Sequence, residues 1–276
     1  MSMLSGVETT FPVDQPLTAQ KATVGPFVDF TGRWVIVTGA SSGIGQAIAI
    51  ELSRRGAALV LMGRDPRKLS RTAEAMMSRN VDAVSIDLLD TGSILPCVRK
   101  LVEAHGRLYG LCHCAGTVET KPLSAIRLDD FRQMMEINVT AGIELAKAFS
   151  RRDVVTDEGG SILFISSIYG WVGMPGQIGY SATKGAVLAA ARAMAVELAR
   201  RKIRVNTLSP GLVRTPMSEA ALSKLSADHV RELEQTHPLG TGVPEDVARV
   251  AAFLLAPQSN WITGTDLIID GGYTAR

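Results

Sequence analysis

A serine, a tyrosine and a lysine are spaced so that they could move a proton to or from a carbonyl oxygen. Ser167 ends a β-branched apolar run, Tyr180 follows thirteen residues later, and Lys184 lies four residues beyond Tyr180. Residues at i and i+4 share one face of a helix, so the Lys184 ammonium is expected near the Tyr180 phenol. A free phenol has a pKa of about 10, and nearby positive charge favours the phenolate. The spacing therefore predicts an acid/base pair.

The chemistry that fits these residues is the interconversion of a carbonyl and an alcohol. Tyr180 would donate its proton to the carbonyl oxygen during reduction and take it back during oxidation. Ser167 would hold the same oxygen by a hydrogen bond and so orient the carbonyl carbon. Lowering the phenol pKa by about three units requires about 4 kcal/mol, which Lys184 and an oxidised cofactor could supply together. Alone, a Tyr-x-x-x-Lys pair most often marks only an amphipathic helix face.

A glycine-rich turn after the first predicted strand indicates a dinucleotide site. The segment reads Thr38-Gly39-Ala40-Ser41-Ser42-Gly43-Ile44-Gly45, and a predicted helix follows it directly. Glycines let the chain turn sharply and bring backbone amides and the helix N-terminus against a diphosphate. The spacing differs from the usual Gly-x-Gly-x-x-Gly, so the interpretation depends on its place at the first strand–helix junction.

The end of the second predicted strand favours NADP(H) over NAD(H). An acidic residue near this point would bind the ribose hydroxyls of NAD, but here Gly63 is followed by Arg64. A guanidinium pairs with a 2′-phosphate, which a carboxylate would repel. Alternatively, Arg64 only solvates a loop, and the adjacent Asp65 counts against the preference. Beyond the third strand, Asp87 could bond the adenine amino group or cap the helix near Thr91.

The elements that must position these residues alternate between short strands and longer helices. Apolar strands separated by crossover helices predict an α/β fold, a doubly wound Rossmann domain with a parallel sheet of about seven strands. Residues 1–30 are non-periodic and are interpreted as an N-terminal arm before a single domain of residues 31–276. The main elements are predicted as strands at 34–38, 59–62, 83–86, 108–112, 161–166, 204–208 and 267–269, with helices at 44–55, 67–79, 128–150 and 180–200.

The composition is ordinary for a globular protein and suggests neither nucleic acid nor membrane as a partner. Hydrophobic residues make up 46% and charged residues 20%, and the net charge of +2 leaves no basic excess for tracking phosphates. With 5% aromatic residues, base-stacking surfaces are not expected. We find no signal peptide and no apolar run of bilayer-spanning length. The sparse cysteines, Cys97, Cys112 and Cys114, favour a reducing, cytoplasmic location.

In combination, these motifs resemble the short-chain dehydrogenase/reductases, and most closely the 3-oxoacyl-ACP reductase branch. The resemblance covers residues 32–273. It implies a catalytic tetrad of Asn138, Ser167, Tyr180 and Lys184, in which Asn138 joins a proton relay through water to Lys184. It further implies that the cofactor is held by Gly39, Ser41, Ser42, Gly43, Ile44, Gly45, Arg64, Asp87, Ala115, Gly116, Tyr180, Lys184, Pro210, Gly211, Val213 and Thr215.

One departure from the family follows the fourth strand, where Asn-Asn-Ala-Gly is usual and His113-Cys114-Ala115-Gly116 stands here. Cys114 cannot repeat the hydrogen bonds of an asparagine, so another group is expected to stabilise the sheet locally. Ala115 and Gly116 should keep the backbone close to the adenosine ribose. A metal site is not expected, because a strand places Cys112 and Cys114 on one face and His113 on the other, and zinc takes about four ligands.

The resemblance also implies a homotetramer and a small carbonyl or alcohol substrate, which could be attached to a carrier protein. The basic run of Arg200, Arg201, Lys202 and Arg204 could receive an acidic carrier, or could be a solvated helix end. Apolar residues at helical spacing within 215–238 predict a mobile lid over the substrate. Two other functions stay open, an NAD-dependent alcohol or sugar dehydrogenase and a non-catalytic Rossmann protein that senses NADP(H).

Overall fold

Seven strands form one parallel sheet in the computed structural model, which describes residues 28–223 and 225–275. The strands are β1 (Trp34–Thr38), β2 (Ala58–Gly63), β3 (Val81–Ser85), β4 (Gly110–His113), β5 (Gly160–Ile165), β6 (Ile203–Pro210) and β7 (Asp266–Ile269). Their order is β3-β2-β1-β4-β5-β6-β7. The chain reverses its direction of winding between β1 and β4, and ligands of such sheets bind outside the carboxyl ends of the strands at this point.

Helices connect the strands and cover both faces of the sheet. They are α1 (Gly43–Arg54), α2 (Pro66–Glu74), α3 (Ile94–His105), α4 (Leu128–Met135), α5 (Ala141–Phe149), α6 (Ile178–Leu198), α7 (Pro216–Leu222), α8 (Ala227–Gln235) and α9 (Pro244–Leu255). One apolar cluster packs α1 and α9 on the sheet, and a second packs α3, α5 and α6 on the opposite face. The predicted doubly wound α/β fold is confirmed. None of the helices described is long and apolar enough to span a bilayer.

Most predicted elements differ from the structure by one or two residues at their ends, and three of the differences have a visible cause. β4 begins at Gly110 rather than at 108, because Leu108 forms only an isolated bridge to Val155. α2 ends at Glu74 rather than at 79, and the Ser78 amide beyond it donates to the Ser53 hydroxyl at 2.9 Å. The single helix predicted for 128–150 is interrupted, since a π-helical segment at 136–140 separates α4 from α5.

The N-terminal arm predicted for residues 1–30 lies outside the described residues as far as residue 27. Its last residues belong to the core, because Val28 and Phe30 are buried in the cluster that contains α1 and α9. The Phe30 amide donates to the Arg55 carbonyl at 2.9 Å. Residues 28–30 therefore pack with the domain that was predicted to begin at residue 31.

Candidate active site

The π-helical segment between α4 and α5 presents Asn138 to the crevice. The Asn138 side chain is buried, and its Oδ1 accepts from the Thr117 amide at 2.8 Å. Its Nδ2 donates to the Thr117 carbonyl at 2.9 Å and to Thr183 Oγ1 at 3.0 Å. Asn138 therefore joins the loop after β4 to α6. Single π-helical turns inside helices are frequent at functional sites.

Ser167, Tyr180 and Lys184 come together at the carboxyl end of β5. The Ser167 side chain accepts from the Tyr169 amide at 3.2 Å and lies close enough to the Tyr180 phenol to lower its pKa. The Lys184 ammonium lies 5.4 Å from the centre of the Tyr180 ring and donates to the Ile165 carbonyl at 2.8 Å. A Cβ at Gly116 would lie 3.8 Å from Lys184 Nζ, so the loop after β4 packs directly on the lysine. The four members of the predicted tetrad occupy one region.

Burial, and not the lysine, dominates the protonation of the phenol. Burial raises the pKa of Tyr180, and the nearby Ser167 side chain opposes that rise. Burial also lowers the pKa of Lys184 to about 8. Lys184 is not among the groups that set the pKa of Tyr180 in the chain alone, so the lowering expected from Lys184 together with an oxidised cofactor stays a prediction. A phenolate here needs further positive charge, such as that of an oxidised nicotinamide.

Three glycines shape the turn between β1 and α1. Gly39 has φ of +65°, and a Cβ there would lie 2.9 Å from the Ala115 nitrogen. A Cβ at Gly45 would lie 2.4 Å from the Gly39 carbonyl oxygen. Ser42 precedes α1 without a side-chain cap, so the first amides of that helix have no hydroxyl partner. The result is a concave backbone surface with N–H donors at a helix N-terminus, which fits a diphosphate.

The end of β2 has space and positive charge for a phosphate. A Cβ at Gly63 would lie 3.6 Å from the Ser41 hydroxyl oxygen, which places that hydroxyl beside the end of the strand. Arg64 is exposed and forms no ion pair within residues 28–223 and 225–275. Asp65 is the N-cap of α2, and its Oδ1 accepts from two first-turn amides at 3.0 and 3.3 Å. The carboxylate that counted against an NADP(H) preference is thus engaged in a helix cap.

Asp87 is exposed just beyond β3 and does not cap the following helix. Its Oδ1 accepts from the Leu89 amide at 3.1 Å, which closes a short local turn. The 3-10 turn that leads into α3 begins after Asp90, whose side chain makes no capping bond. Of the two uses considered for Asp87, capping near Thr91 is wrong, and contact with the adenine stays a prediction.

Thr38 supplies the stabilisation that Cys114 cannot. Its Oγ1 accepts from the amides of Cys114 and Ala115 at 3.1 and 3.0 Å and lies 3.1 Å from His113 Nδ1. The role of Thr38 was missed from the sequence, although a hydroxyl at the end of a buried strand is a visible signal. Cys112 packs towards α1 and α9, whereas His113 contacts the opposite cluster, as the alternation predicts. No group of three or more potential metal ligands occurs within the residues described.

The loop after β6 lies against the glycine turn. Pro210 ends the strand, and the Gly211 amide donates to the last residue of β7 at 2.9 Å. A Cβ at Gly43 would lie 3.3 Å from Thr215. Thr215 is the N-cap of α7 and accepts from the Ser218 amide at 3.1 Å, and the Val213 carbonyl accepts from the same serine at 2.7 Å. The loop predicted to hold the nicotinamide is therefore capped by its own hydrogen bonds and lies beside the glycine turn.

Two aromatic residues hold the segment that precedes α6. Trp171 Nε1 donates to Asp266 Oδ2 at 2.6 Å, which ties the segment to β7. The Tyr169 ring lies edge-on to the Tyr180 ring with centroids 6.5 Å apart, and its hydroxyl lies 2.7 Å from Met174 Sδ. These contacts were not predicted, because nothing local in the sequence pairs residues so far apart. Of the two rings, Tyr169 packs directly against the Tyr180 phenol ring.

The basic run after α6 is not one surface. Arg204 is only 8% exposed and donates to the carbonyls of Leu254, Leu255 and Ala256 at 2.7–3.1 Å. It therefore neutralises the C-terminal end of α9. A carrier-binding patch that includes Arg204 is wrong, because the guanidinium is inside the protein.

Comparison with known proteins assigns the family. A family profile described as enoyl-(acyl carrier protein) reductase matches residues 39–274. The chain is 32% identical over 250 residues to the 3-oxoacyl-[acyl-carrier-protein] reductase FabG of Chlamydia pneumoniae, covering 90% of this chain and 99% of that protein. It is 32% identical over 252 residues to oxidoreductase UcpA of Escherichia coli O157:H7, covering 88% and 95%. A solved short-chain type dehydrogenase/reductase from Mycobacterium ulcerans has a TM-score of 0.84 at 32% identity, covering 90% and 92%.

These similarities extend over nearly all of the described domain and include both the cofactor turn and the tyrosine helix. They agree with the sheet order and with the clustering of reactive side chains at its carboxyl edge. The chain therefore belongs to the short-chain dehydrogenase/reductase family, near the FabG-like reductases, and is an oxidoreductase that uses a nicotinamide cofactor.

Proposed function

We propose that this protein is an NADP(H)-dependent reductase that converts a ketone to an alcohol with Tyr180 as the general acid. The observation that carries the proposal is the grouping of Ser167, Tyr180 and Lys184 beside the glycine turn, with Ser167 and Lys184 buried and Tyr180 half-buried. The substrate class is a small ketone or a 3-oxoacyl thioester, free or attached to a carrier protein. The thioester is supported by the name of the FabG relative from Chlamydia pneumoniae.

Residues from several loops fit the parts of NADP(H). The amides of the glycine turn would hold the diphosphate, and Arg64 with Ser41 would hold the 2′-phosphate. Asp87 and the backbone at 115–116 would contact the adenosine, while Val213 and Thr215 would hold the nicotinamide amide. When bound, the reduced nicotinamide supplies the hydride.

The chain itself supplies the proton and the orientation. Burial keeps the pKa of Tyr180 high, so its hydroxyl is protonated at neutral pH and can donate to the carbonyl oxygen. Ser167, close to the same phenol, would hold that oxygen and exclude other orientations. Oxidation of an alcohol would need the phenolate instead. In the chain without cofactor, the phenol is therefore in the protonated form that reduction requires.

Measuring NADPH oxidation with a panel of carbonyl compounds tests the proposal. The panel contains acetoacetyl thioesters, sugars, diketones and simple ketones, and at least one should be reduced. Tyr180→Phe should lower kcat by about 10²–10⁴-fold and leave NADPH affinity unchanged, because only the proton donor is removed. Tyr109→Phe is the matched control, since that hydroxyl donates to the Leu255 carbonyl away from the site. Tight NADPH binding without any turnover would support a sensor instead.

The assembly and the compartment belong to the same proposal. A homotetramer follows from the family, and the cytoplasm follows from the few, unpaired cysteines. Gel filtration with light scattering and cell fractionation would test these two expectations separately.

A further inference from the structure

The hydrogen bonds around Thr38 determine the tautomer of His113. Thr38 Oγ1 accepts two backbone amides at 3.1 and 3.0 Å, which uses both of its lone pairs. Its own proton must therefore be donated to His113 Nδ1, 3.1 Å away. His113 accepts at Nδ1 and carries its hydrogen on Nε2. One edge of the imidazole thus supports the residue that immediately precedes the glycine turn.

The other edge of the His113 ring faces the helix that carries Asn138. A Cβ at Gly142 would lie 2.8 Å from His113 Cδ2 and 3.0 Å from Nε2, so only glycine leaves room for the imidazole. Nε2 is buried without a hydrogen-bond partner of ordinary geometry in the described residues. The Ile137 carbonyl, adjacent to Asn138, interacts with the ring. Because burial lowers the pKa of His113 to about 3, the ring is neutral under working conditions.

We propose that His113 is a positioning residue that couples the cofactor turn to the π-helical segment holding Asn138. The inference rests on the proposed function, since it assumes that the glycine turn binds the cofactor and that the tetrad carries out the proton transfer. A single flat ring, held by Thr38 on one side and confined by Gly142 on the other, sets the distance between β1 and α5. A shift in the position of the glycine turn would thereby move Asn138 through the His113 ring, whether or not substrate is bound.

Two substitutions distinguish the contact that His113 makes with Thr38 from its contact with the π-helical segment. His113→Asn places an amide oxygen where Nδ1 lies but does not reach the π-helical segment. His113→Leu fills similar volume and leaves the Thr38 hydroxyl without an acceptor. Leu111→Ala is the matched control, because Leu111 is a fully buried residue on the same face of β4. It should lower stability without touching either edge.

The coupling predicts different responses in NADPH affinity and in turnover. His113→Asn should keep the Kd for NADPH within about twofold while kcat falls about tenfold, because only the contact with the Asn138 segment is lost. His113→Leu should weaken NADPH binding about tenfold as well. Leu111→Ala should lower Tm and leave both quantities unchanged. Independently of activity, ¹⁵N NMR should show a histidine signal with hydrogen on Nε2 and none on Nδ1 that is lost in His113→Asn.

A second variant keeps the test decisive if His113→Leu does not fold. Gly142→Ala should lower kcat by crowding the ring, and the loss should be smaller when His113 is already asparagine. Three results would each overturn the coupling. The first is that His113→Asn and His113→Leu change kcat and the Kd for NADPH equally. The second is that the losses in kcat from Gly142→Ala and His113→Asn are additive, and the third is that kcat changes only in step with Tm, as a loss of stability alone would cause. Failure of the unaltered protein to bind NADPH would instead overturn the proposed function.

Discussion

At the scale of single residues, the candidate active site holds the Lys184 ammonium in a position where burial opposes its charge. Lys184 is 6% exposed, and burial lowers its pKa from 10.5 to about 8. Between these two values the unfolded chain binds a proton that the folded chain does not, so stability rises with pH across that window. Below about pH 8 the folded protein bears the full cost of the buried charge.

Lys184→Met should therefore be more stable than the unaltered protein at pH 7, by about 1–2 kcal/mol after loss of the bond to Ile165. The difference should shrink as the pH rises from 8 towards 10.5. Urea unfolding at pH 7 and pH 10 measures this difference in the free energy of unfolding. Lys68→Met is the control, because Lys68 is exposed. A destabilised variant at pH 7, or a difference independent of pH, would contradict the role of burial.

The proposed preference for NADP(H) also depends on one side chain. Arg64→Ala should raise the Kd for NADPH by about 10–100-fold, because a charge-assisted contact with the 2′-phosphate is lost. NADH affinity should change less than about threefold, since NADH lacks that phosphate. Fluorescence titration with both nucleotides measures this, and Arg79→Ala is a control at the far end of the α2 connection. Parallel losses would show that Arg64 does not meet the phosphate.

The sequence predicted those site residues whose relation is local. Tyr180 and Lys184 share a helix face by spacing alone, and the structure places them as expected. The pKa of Tyr180 could not be predicted, because it depends on the depth of burial and on the nearby Ser167 side chain, which another element carries. The contact of Thr38 with His113 depends on strand pairing and was missed for the same reason.

At the scale of elements, the turn between β1 and α1 tolerates no added atom at its third glycine. Gly45→Ala would place a Cβ 2.4 Å from the Gly39 carbonyl oxygen, so the helix must shift away from the turn. We expect a loss of about 1–3 kcal/mol in stability and at least tenfold weaker NADPH binding. Gly106→Ala, with φ of +80° and no atom near its Cβ, should cost stability without changing NADPH affinity. Unfolding curves and titrations compare the two.

Elements were predictable where side-chain periodicity decides them. The seven strands lie where apolar runs indicated, with ends shifted by one or two residues. The interruption between α4 and α5 was not predictable from periodicity, because the apolar pattern continues through the π-helical turn. That turn is stabilised by bonds from Asn138 to Thr117 and Thr183, which belong to other elements.

At the scale of the whole molecule, one edge of the sheet exposes apolar surface. Trp261 is 96% exposed, Val196 on α6 is 80% exposed, and Leu267 and Ile268 are partly exposed on the edge strand β7. Unpaired edges of this kind are usually covered in native proteins. The homotetramer implied by the family is expected to cover this one.

The unaltered protein should therefore have a mass four times the 29.4 kDa of one chain in light scattering after gel filtration. Trp261→Glu together with Leu267→Lys should yield a smaller species, since charge at the edge opposes pairing. Met77→Lys, at a separate residue that is 77% exposed, should leave the mass unchanged. A single-chain mass for the unaltered protein would refute the assembly.

The alternation of strands and helices was enough to predict the fold class and the side of the sheet that carries the site. It did not predict which distant segments support one another across that sheet. Arg204 is an example. Its place in a basic run suggested an exposed binding surface, whereas in the structure its guanidinium is buried and bonds to carbonyls at the end of α9. Such partners depend on tertiary geometry and leave no local pattern.

The bond between Trp171 and Asp266 has a consequence for biosynthesis. A ribosome adds about 5–20 residues per second and releases the chain from its amino end. Ser167, Tyr180 and Lys184 thus emerge well before the strand that anchors the segment between them. A nascent chain already contains these three side chains while their scaffold is incomplete, so we expect the proposed activity only after β7 has been translated and docked.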